Sequence, residues 1–394
     1  MSTDDVVILS AARTPLGKIK GTLASLSAVQ LGTIALRKAL ERSGLGAEAV
    51  DTVLFGQVLQ AGAGQNPARQ TAIGAGIGWS VPATTINKVC LSGLAAVTDA
   101  ARLIRTGEAT VVVAGGQESM TNAPHILPGS RSGWNYGSIQ ALDSADYDGL
   151  TDAFDGISMG ASTESYTEKL GLTREAQDAF AAQSHQRAGA AASNGVFDEE
   201  IAPVSIPQRK GDPVVVSSDE GIRPDSTAEI LSRLRPSFAE GGTLTAGNSS
   251  PLSDGAAALV LTSRENAERL GLDWLALVGT SGQVAGPDNS LHSQPSRAID
   301  AALRRAGWSV SELDLIEINE AFAAVALQSM ADLGIDSEMV NIHGGAIALG
   351  HPIGASGARL AGHAAHELAR RGSGRAAVAL CGGGGQGDAL LLYR

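Results

Sequence analysis

The sequence predicts an α/β protein made of two similar halves, with a segment of different composition inserted into the first half. Three observations predict this fold class: strand-like and helix-like stretches alternate, the chain repeats itself, and its composition changes in the middle. The strand-like runs are apolar and are bordered by stretches rich in Ala and Leu. They lie at residues 6–10, 53–55, 111–114, 315–318 and 376–380.

The internal repeat consists of four landmarks that occur in the same order in both halves. Their offset along the chain is nearly constant, which indicates two duplicated α/β units packed together. The simpler alternative is that Ala-rich α/β chains resemble themselves. The matching stretches are 39–44 (ALERSG) with 302–307 (ALRRAG), 51–54 with 314–317, the Ser-Gly pairs 92–93 with 356–357, and the apolar runs 111–116 with 377–383.

These landmarks divide the chain into three parts. The first half covers residues 1–118 and is completed by 247–270, and the second half covers 271–394. The inserted segment, 119–246, is richer in Asp, Ser, Pro and Tyr, and contains one clear helix, predicted over 173–193. Large insertions on α/β scaffolds commonly carry substrate recognition, so we expect that role here.

Composition argues against several classes of function. The formal net charge is −12 and no long Lys/Arg run occurs, so no nucleic-acid partner is expected. The two cysteines, Cys90 and Cys381, are too few for a disulfide scaffold or a four-thiolate zinc site, and we expect no metal. The N-terminal residues lack a basic region followed by an apolar one. We therefore expect a cytoplasmic protein without a membrane partner.

Cys90 lies in the motif INKVCLSGLAAV, where a strand-like run is predicted to end at Val89 and a helix to begin after the Ser-Gly pair. Backbone N–H groups and the helix dipole at such a turn favour a thiolate. The thiolate is the nucleophilic form of cysteine. The alternative is a small buried apolar side chain, the usual role of a free cysteine. The local sequence leaves both interpretations open.

His351 and Cys381 lie in two glycine-rich stretches of the second half. His351, in GGAIALGHPIGASGAR, is either the base that activates Cys90 or a structural histidine. Cys381 ends the last strand-like run and precedes four glycines, 382–385. The N–H groups of these glycines either point at a developing oxyanion or belong to a loop without a role. If the halves pair about a pseudo-twofold axis, the two cysteines and the histidine converge.

Asn319 directly follows the strand-like run 315–318, so we expect it at the carboxyl end of a strand, where ligand sites form in α/β proteins. Its amide could orient a water or donate to a carbonyl oxygen. The alternative is a cap for a helix from Ala321 onward.

Five of the other histidines are given no part in the chemistry. His363 and His366 are three residues apart on the last long helix, and no third metal ligand lies nearby in the sequence. We therefore expect them on a solvated face. The isolated ones are His125, His185 and His292.

Six blocks, in order along the chain, resemble the thiolase family. The match runs from SAARTPLGK near the start to CGGGGQGDALLLYR at the end. One block alone would be weak evidence, whereas six in the family's order are specific. The blocks are INKVCLSG (86–93), VVVAGGQESM (111–120), TAGNSSPLSDGAAA (245–258), EINEAFA (317–323), GGAIALGHPIGASG (344–357) and CGGGGQG (381–387).

The resemblance implies a duplicated five-layer α/β/α/β/α fold with an inserted loop domain that binds coenzyme A. It also implies a reversible ping-pong Claisen reaction, in which two acetyl-CoA molecules give acetoacetyl-CoA and CoA through an acyl-cysteine. Acyl-CoA thioesters are then substrates and no resident cofactor is implied. Family members assemble as dimers of dimers, so a homo-oligomer is expected.

The resemblance gives five residues catalytic roles. Cys90 matches the acylated nucleophile and His351 the group that activates it. Cys381 matches the second cysteine, which moves the proton on the substrate α-carbon. Asn319 matches the residue that, with His351, holds one oxyanion site through a water. The backbone N–H groups of Cys90 and Gly383 match the other oxyanion site.

Two positions of the insertion and its border match contacts to coenzyme A, and three others depart from the family pattern. Arg223 matches the adenine-contacting position and Ser250 the one contacting the pantetheine arm. Ser158 replaces a His common in the short-chain members, which weakens a strict acetoacetyl-CoA specificity. His343 stands where Asn is common, and Leu91 where Gly is commoner. None of these departures removes a catalytic residue.

The motifs favour an acetyl-CoA C-acetyltransferase over three alternatives. A degradative 3-ketoacyl-CoA thiolase of broader specificity differs only in chain length. A non-catalytic lipid- or sterol-carrier on the same scaffold would lose the catalytic positions, which are all present. A ketoacyl synthase would pair its cysteine with two His, or with His and Asn, and the second cysteine, Cys381, argues against it. A Cys90–Cys381 disulfide switch is compatible with catalysis.

Overall fold

The computed structural model describes residues 5–394. Within that range the chain forms fourteen β-strands and eleven α-helices. The strands are β1 (Val6–Arg13), β2 (Gly17–Lys18), β3 (Thr52–Gly56), β4 (Ala83–Ile86), β5 (Val111–Ser119), β6 (His125–Ile126), β7 (Leu142–Asp143), β8 (Val204–Ile206), β9 (Val214–Val216), β10 (Ser253–Ser263), β11 (Ala276–Ala285), β12 (Leu315–Ile318), β13 (Arg375–Gly382) and β14 (Gln386–Tyr393). The helices are α1 (Ala28–Ser43), α2 (Pro67–Gly74), α3 (Ser92–Arg105), α4 (Met159–Thr167), α5 (Arg174–Ser193), α6 (Ala228–Ser232), α7 (Arg264–Leu270), α8 (Gln294–Ala306), α9 (Ala323–Leu333), α10 (Ala346–Leu349) and α11 (Ser356–Arg371).

The main sheet has the strand order β12-β13-β14-β11-β1-β10-β5-β3-β4, with β2 paired to β10. In the first half β3 runs parallel to β5, and β5, β10 and β1 then pair antiparallel. In the second half β12 runs parallel to β13, and β13, β14 and β11 then pair antiparallel. The same series of pairings therefore occurs twice, which confirms the predicted duplication. Strands β1 and β11 join the two series at the centre of the sheet.

Helices α3 and α11 form a central layer with one half of the sheet packed on each side. Helices α1 and α2 cover the outer face of the first half, and α8 and α9 cover that of the second. Five layers result, in the order α/β/α/β/α, as predicted. Both faces of each sheet half are covered, which is why its strands are apolar along nearly their whole length.

The N-terminal ends of α3 and α11 approach so closely that only glycine fits between them. A Cβ on Gly357 would lie 2.3 Å from the backbone nitrogen of Leu94, and one on Gly93 would lie 2.8 Å from that of Ala358. The two Ser-Gly pairs of the repeat therefore allow the helix N-termini to meet. As a result, the turn before α3 and the loop before α11 face each other.

The segment between β5 and β10 contains helices α4 to α6 and two short hairpins, β6/β7 and β8/β9. The helix predicted over 173–193 is present as α5, and the side chain of Thr173 caps it by accepting the N–H of Ala176 at 3.2 Å. Helix α5 packs against α9 and α10 of the second half. The insertion interrupts the first half in sequence and is anchored on both halves, since Arg13 of β1 also pairs with its Glu200 and Asp219.

His363 and His366 are only 2% and 6% exposed, so the prediction of a solvated face was wrong. The reason is that α11 lies in the central layer, where both sides are covered. His363 hydrogen-bonds the carboxylate of Glu200 from the insertion, and its other ring nitrogen lies 3.2 Å from His343. His366 donates to the carbonyl of Ala11 at 3.1 Å. Both histidines are structural.

Candidate active site

A cavity of about 530 Å³ lies where the two halves and the insertion meet. Six of the seven site residues predicted from the sequence line it, and the seventh, Asn319, contacts one of the six. The wall is largely apolar with a few polar groups, as is usual for small-molecule sites. The six predicted residues that line it are Cys90, Arg223, Ser250, His351, Cys381 and Gly383.

Cys90 lies in the turn between β4 and α3. The strand ends at Ile86, earlier than the Val89 expected from the sequence, because the chain turns sharply and Val89 has a left-handed φ of 51°. The hydroxyl of Ser92 accepts the N–H of Lys88 at 2.8 Å and donates to the carbonyl of Val89 at 2.6 Å. Because both ends of the turn are fixed, the thiol has a defined direction.

Burial raises the pKa of the Cys90 thiol to about 12, and nearby Glu118 contributes in the same direction. Two backbone N–H groups, those of Cys90 itself and of Gly383, hydrogen-bond the sulfur and oppose this rise of the pKa. The resting thiol is therefore protonated, and the N–H groups of the two residues predicted as oxyanion donors both lie beside its sulfur.

His351 is held as a neutral base. Burial, reinforced by the positive charge of Arg359, lowers the pKa of His351 to about 3. Its Nδ1 lies 2.6 Å from the hydroxyl of Ser356, which itself donates to the carbonyl of Pro352 at 3.0 Å. Nδ1 must then carry the hydrogen, since the Ser356 proton is already used. The lone pair is on Nε2, 3.4 Å from the amide nitrogen of Asn319.

Asn319 and Cys381 come from neighbouring strands of the second half. Asn319 follows β12, its N–H bonds the carbonyl of Ala379 at 2.9 Å, and its buried Oδ1 has no protein partner. Cys381 is 1% exposed, and burial together with Cys90 raises the pKa of its thiol. An apolar cluster surrounds Cys381, formed by Met159, Phe238, Leu244, Leu291, Ala321, Phe322 and Val325.

Family models match nearly the whole chain: "Thiolase, N-terminal domain" over residues 6–265 and "Thiolase, C-terminal domain" over 272–394. The chain belongs to the thiolase family. It is 58% identical to a probable acetyl-CoA acetyltransferase of Mycolicibacterium smegmatis, covering 98% of this chain and 100% of that protein. It is 51% identical to the acetyl-CoA acetyltransferase of Pseudomonas aeruginosa, covering 99% of each. The crystal structure of the Bacillus anthracis acetyl-CoA acetyltransferase superimposes with a TM-score of 0.96 at 40% identity, covering 99% of this chain and 98% of that one.

Glu118 is a buried residue of this thiolase site to which sequence reasoning gave no role. Its carboxylate accepts the N–H groups of Val58, Leu59 and Gly354 at 2.9–3.1 Å. It thereby links the loop after β3 to the loop that carries His351. Burial raises its pKa to about 7, although the three N–H donors act against this. The sequence did offer one signal for Glu118, namely a carboxylate inside the largely apolar run 111–119. A carboxylate is seldom buried without partners, so its position there indicates a role.

Arg223 and Ser250 lie on the part of the cavity wall contributed by the insertion and its border. The Ser250 hydroxyl and N–H both donate to the carbonyl of Ala321 at 3.0 Å. Arg223 is exposed, and its backbone N–H donates to Nδ1 of His185 at 3.2 Å. His185 therefore has a partner within the site, although the sequence gave it no role.

The three departures from the family pattern have different positions in this thiolase. Ser158 lines the cavity and caps α4, with its hydroxyl accepting the N–H of Ala161 at 3.2 Å. Leu91 is buried behind Cys90, where a Cβ on Gly382 would lie 2.6 Å from its Cγ. His343 contacts His363, away from the cavity. Only Ser158 is placed to touch a substrate.

Among residues 5–394, no group of three or more His, Cys, Asp or Glu side chains is arranged to hold a metal ion. In the same range, no helix is both long and apolar enough to cross a bilayer.

Proposed function

We propose that this thiolase is an acetyl-CoA C-acetyltransferase, which reversibly converts two acetyl-CoA into acetoacetyl-CoA and CoA through acetyl-Cys90. The main support is one observation: Cys90, a neutral His351, Cys381 and the N–H groups of Cys90 and Gly383 meet in a single cavity. The relatives that carry this name, at 58% and 51% identity, support the substrate class.

In the first half-reaction, Nε2 of His351 takes the thiol proton of Cys90 as the sulfur attacks the acetyl carbonyl. The N–H groups of Cys90 and Gly383 stabilise the oxyanion, and one such donor is typically worth ~10²–10³ in rate. The bond between the acetyl carbon and the CoA sulfur then breaks. CoA leaves as the thiol with the proton from His351, and acetyl-Cys90 remains.

In the second half-reaction, Cys381 first passes its proton to His351 and becomes a thiolate. It then takes a proton from the methyl group of a second acetyl-CoA, and the resulting enolate carbon attacks acetyl-Cys90. His351 and, through a water, Asn319 would stabilise the enolate oxygen, as the family resemblance implies. The Cys90 thiolate leaves and recovers its proton from His351. Holding both acetyl groups in one cavity removes most of the entropic cost of their encounter.

Coenzyme A would lie with its adenine against Arg223 and its pantetheine arm past Ser250, as the family resemblance implies. The enzyme would need no resident cofactor, because the chemistry uses only the chain's own groups. We also propose a homo-oligomer, a cytoplasmic location and the division into 1–118 with 247–270, 119–246 and 271–394, each of which rests on the sequence argument.

The test is to incubate the protein with acetyl-CoA, quench it and map the acetyl group by mass spectrometry. We expect the label on the peptide that contains Cys90, and Cys90→Ala should abolish both directions of the reaction. An acetyl group found on Cys381 but not on Cys90 would overturn the assignment. Exhaustive chelation of metal ions should leave the rate unchanged. Activity that is lost on chelation and restored by one metal would contradict the proposal that no resident cofactor is needed.

A further inference from the structure

One turn of helix α5 contacts both ends of the proposed coenzyme A site. His185, on this turn, is 2% exposed, and its Nδ1 accepts the backbone N–H of Arg223 at 3.2 Å. Beside it, the amide of Gln186 donates to the carbonyl of Ser226 at 2.8 Å. The loop that carries Arg223 is therefore held at two points by consecutive residues of one helix.

The other neighbour of His185 on the same turn, Ser184, is bonded to the catalytic region. Its hydroxyl donates to the carboxylate of Glu320, the residue after Asn319, at 2.7 Å. It also accepts the N–H of Gly345, which precedes α10 and the loop to His351, at 3.0 Å. A Cβ on Gly344 would lie 2.4 Å from the Ser184 carbonyl oxygen, so helix and loop are in direct contact.

His185 is suited to accept a hydrogen bond because it is neutral. Burial, followed by the positive charges of Arg223 and Lys18, lowers the pKa of His185 to about 4, with Asp225 acting in the opposite direction. An unprotonated Nδ1 can accept the Arg223 N–H, whereas an imidazolium has no acceptor. One of these two cations, Arg223, lines the cavity, where its positive charge would attract an anionic nucleotide.

We propose that His185 is a positioning residue for the nucleotide end of coenzyme A. By accepting the Arg223 N–H it fixes the backbone from which the guanidinium reaches the nucleotide. Because Ser184 fixes the catalytic loop from the same helical turn, α5 sets the distance between the nucleotide contact and the thioester contact. This inference rests on the proposed function, since it takes coenzyme A as the ligand of the cavity.

The experiment compares His185→Leu with the matched control His185→Asn, whose Oδ1 lies near the position of Nδ1 and retains an acceptor. Thiolysis is measured with acetoacetyl-CoA and CoA, and with acetoacetyl-pantetheine and pantetheine, which lack the nucleotide. In His185→Leu we expect KM for acetoacetyl-CoA to rise about tenfold, the equivalent of ~1.4 kcal/mol. His185→Asn should stay within about threefold of wild type. KM for the pantetheine substrate should be the same in all three proteins.

Equal rises of KM on both substrates would overturn the proposal, because they would mean a general loss of packing. An unchanged KM for acetoacetyl-CoA in His185→Leu would overturn it as well. The Kd of CoA, measured by calorimetry without turnover, should show the same order of variants. The Kd of CoA can follow this order across the three proteins while wild type fails to catalyse thiolysis. In that case the proposed function fails and the positioning role stands.

Discussion

Cys90 and His351 meet in the resting enzyme as a neutral thiol and a neutral imidazole, since burial disfavours the charged form of each. Ser356 decides which ring nitrogen is the base, because it accepts the Nδ1 hydrogen of His351. Ser356→Ala should therefore slow acetylation of Cys90 by about 10- to 100-fold, part of the ~10²–10⁴ that a positioned base contributes. Ser356→Thr keeps the oxygen and should retain most of the rate. Rapid-quench measurement of acetyl-Cys90 tests this, and equal rates in both variants would contradict it.

Cys381 should matter more for the second half-reaction than for the first, because only that step moves a proton on carbon. In Cys381→Ala, acetylation of Cys90 by acetyl-CoA should persist while condensation falls by about 10²–10⁴. Both are measured on the same preparation, by mass spectrometry and by release of CoA. Condensation near the wild-type rate would show that Cys381 is not the base.

Ser158 bears on chain length, because it lines the cavity where short-chain members commonly have His. A smaller side chain leaves room for a longer acyl group, and each extra buried CH₂ could add up to ~0.8 kcal/mol of binding. The measured quantity is the ratio of kcat/KM for six-carbon to four-carbon 3-ketoacyl-CoA. A ratio below one supports the acetoacetyl assignment, and one above about ten, roughly 1.4 kcal/mol, indicates a broader degradative thiolase.

Replacing this residue tests whether it sets that ratio. Ser158→His should lower the ratio, whereas Ser158→Ala removes the same helix-capping oxygen without adding bulk and should not lower it. A ratio that is unchanged by the histidine would exclude Ser158 as the determinant.

The sequence identified residues whose motifs carry chemistry, and it missed those whose partners come from distant segments. His351 and Cys381 stand beside glycines, and Cys90 lies three residues before one, so each was visible locally. Glu118 is different, because its three N–H donors lie on loops 59 to 236 residues away in sequence. His185 looked isolated for the same reason: its partner, Arg223, is 38 residues further along.

At the scale of elements, α11 shows how a central helix can hold an insertion in place. Although burial acts against it, the carboxylates of Glu200 and Glu317 raise the pKa of His363 overall. Glu200, in the insertion, is also bonded by Arg13 of β1 at 3.0 Å. Three segments distant in the chain are thus joined by buried charges. Removing one partner leaves another buried charge unpaired, which is costly.

His363→Ala should therefore lower the midpoint of urea unfolding, with a loss of stability of about 3 kcal/mol. This is the low end of the range for a broken buried ion pair, because Glu200 remains paired with Arg13. His366→Ala is the matched control, since His366 is also buried on α11 but bonds only the carbonyl of Ala11. It should cost less, about 1 kcal/mol, the typical net contribution of one hydrogen bond. The raised pKa of His363 gives stability that is complete below about pH 6.5 and is lost as pH rises through the folded-state pKa. Identical midpoints for both variants would contradict the pairing argument.

Over the whole molecule, the repeat in the sequence predicted two similar halves, and the resemblance supplied their layering. The sequence did not show that β1 and β11 pair to join both halves into one sheet, because pairing and register depend on long-range contacts that a repeat does not specify. It also did not show that α11 is covered on all sides. An amphipathic pattern normally indicates a surface helix, and here the polar stripe is buried, with His363 bonded to Glu200 of the insertion and His366 to the carbonyl of Ala11.

Acid sensitivity should be a property of the whole chain, because burial lowers the pKa of five histidines, one of which is His366. Burial lowers the pKa of His185, His292 and His343 to about 4 and that of His351 to about 3. In the unfolded chain each titrates near ~6.5. Between these values the unfolded state binds more protons than the folded state, so the stability that these histidines contribute is complete above about pH 6.5 and is lost as pH falls toward 4.

His292 offers a clean test of that acid sensitivity. The hydroxyl of Thr167 donates to the carbonyl of Thr163, so it must accept the Nε2 hydrogen of His292 at 3.0 Å. Nδ1 is then unprotonated and is buried without a partner. Acid adds a proton at Nδ1, and the resulting N–H group has no hydrogen-bond acceptor. His292→Gln can keep the bond to Thr167 through its amide while losing the titration. Its urea midpoint should stay close to wild type at pH 7 and fall less between pH 6.5 and 4.5; equal falls in both proteins would show that the acid loss arises elsewhere.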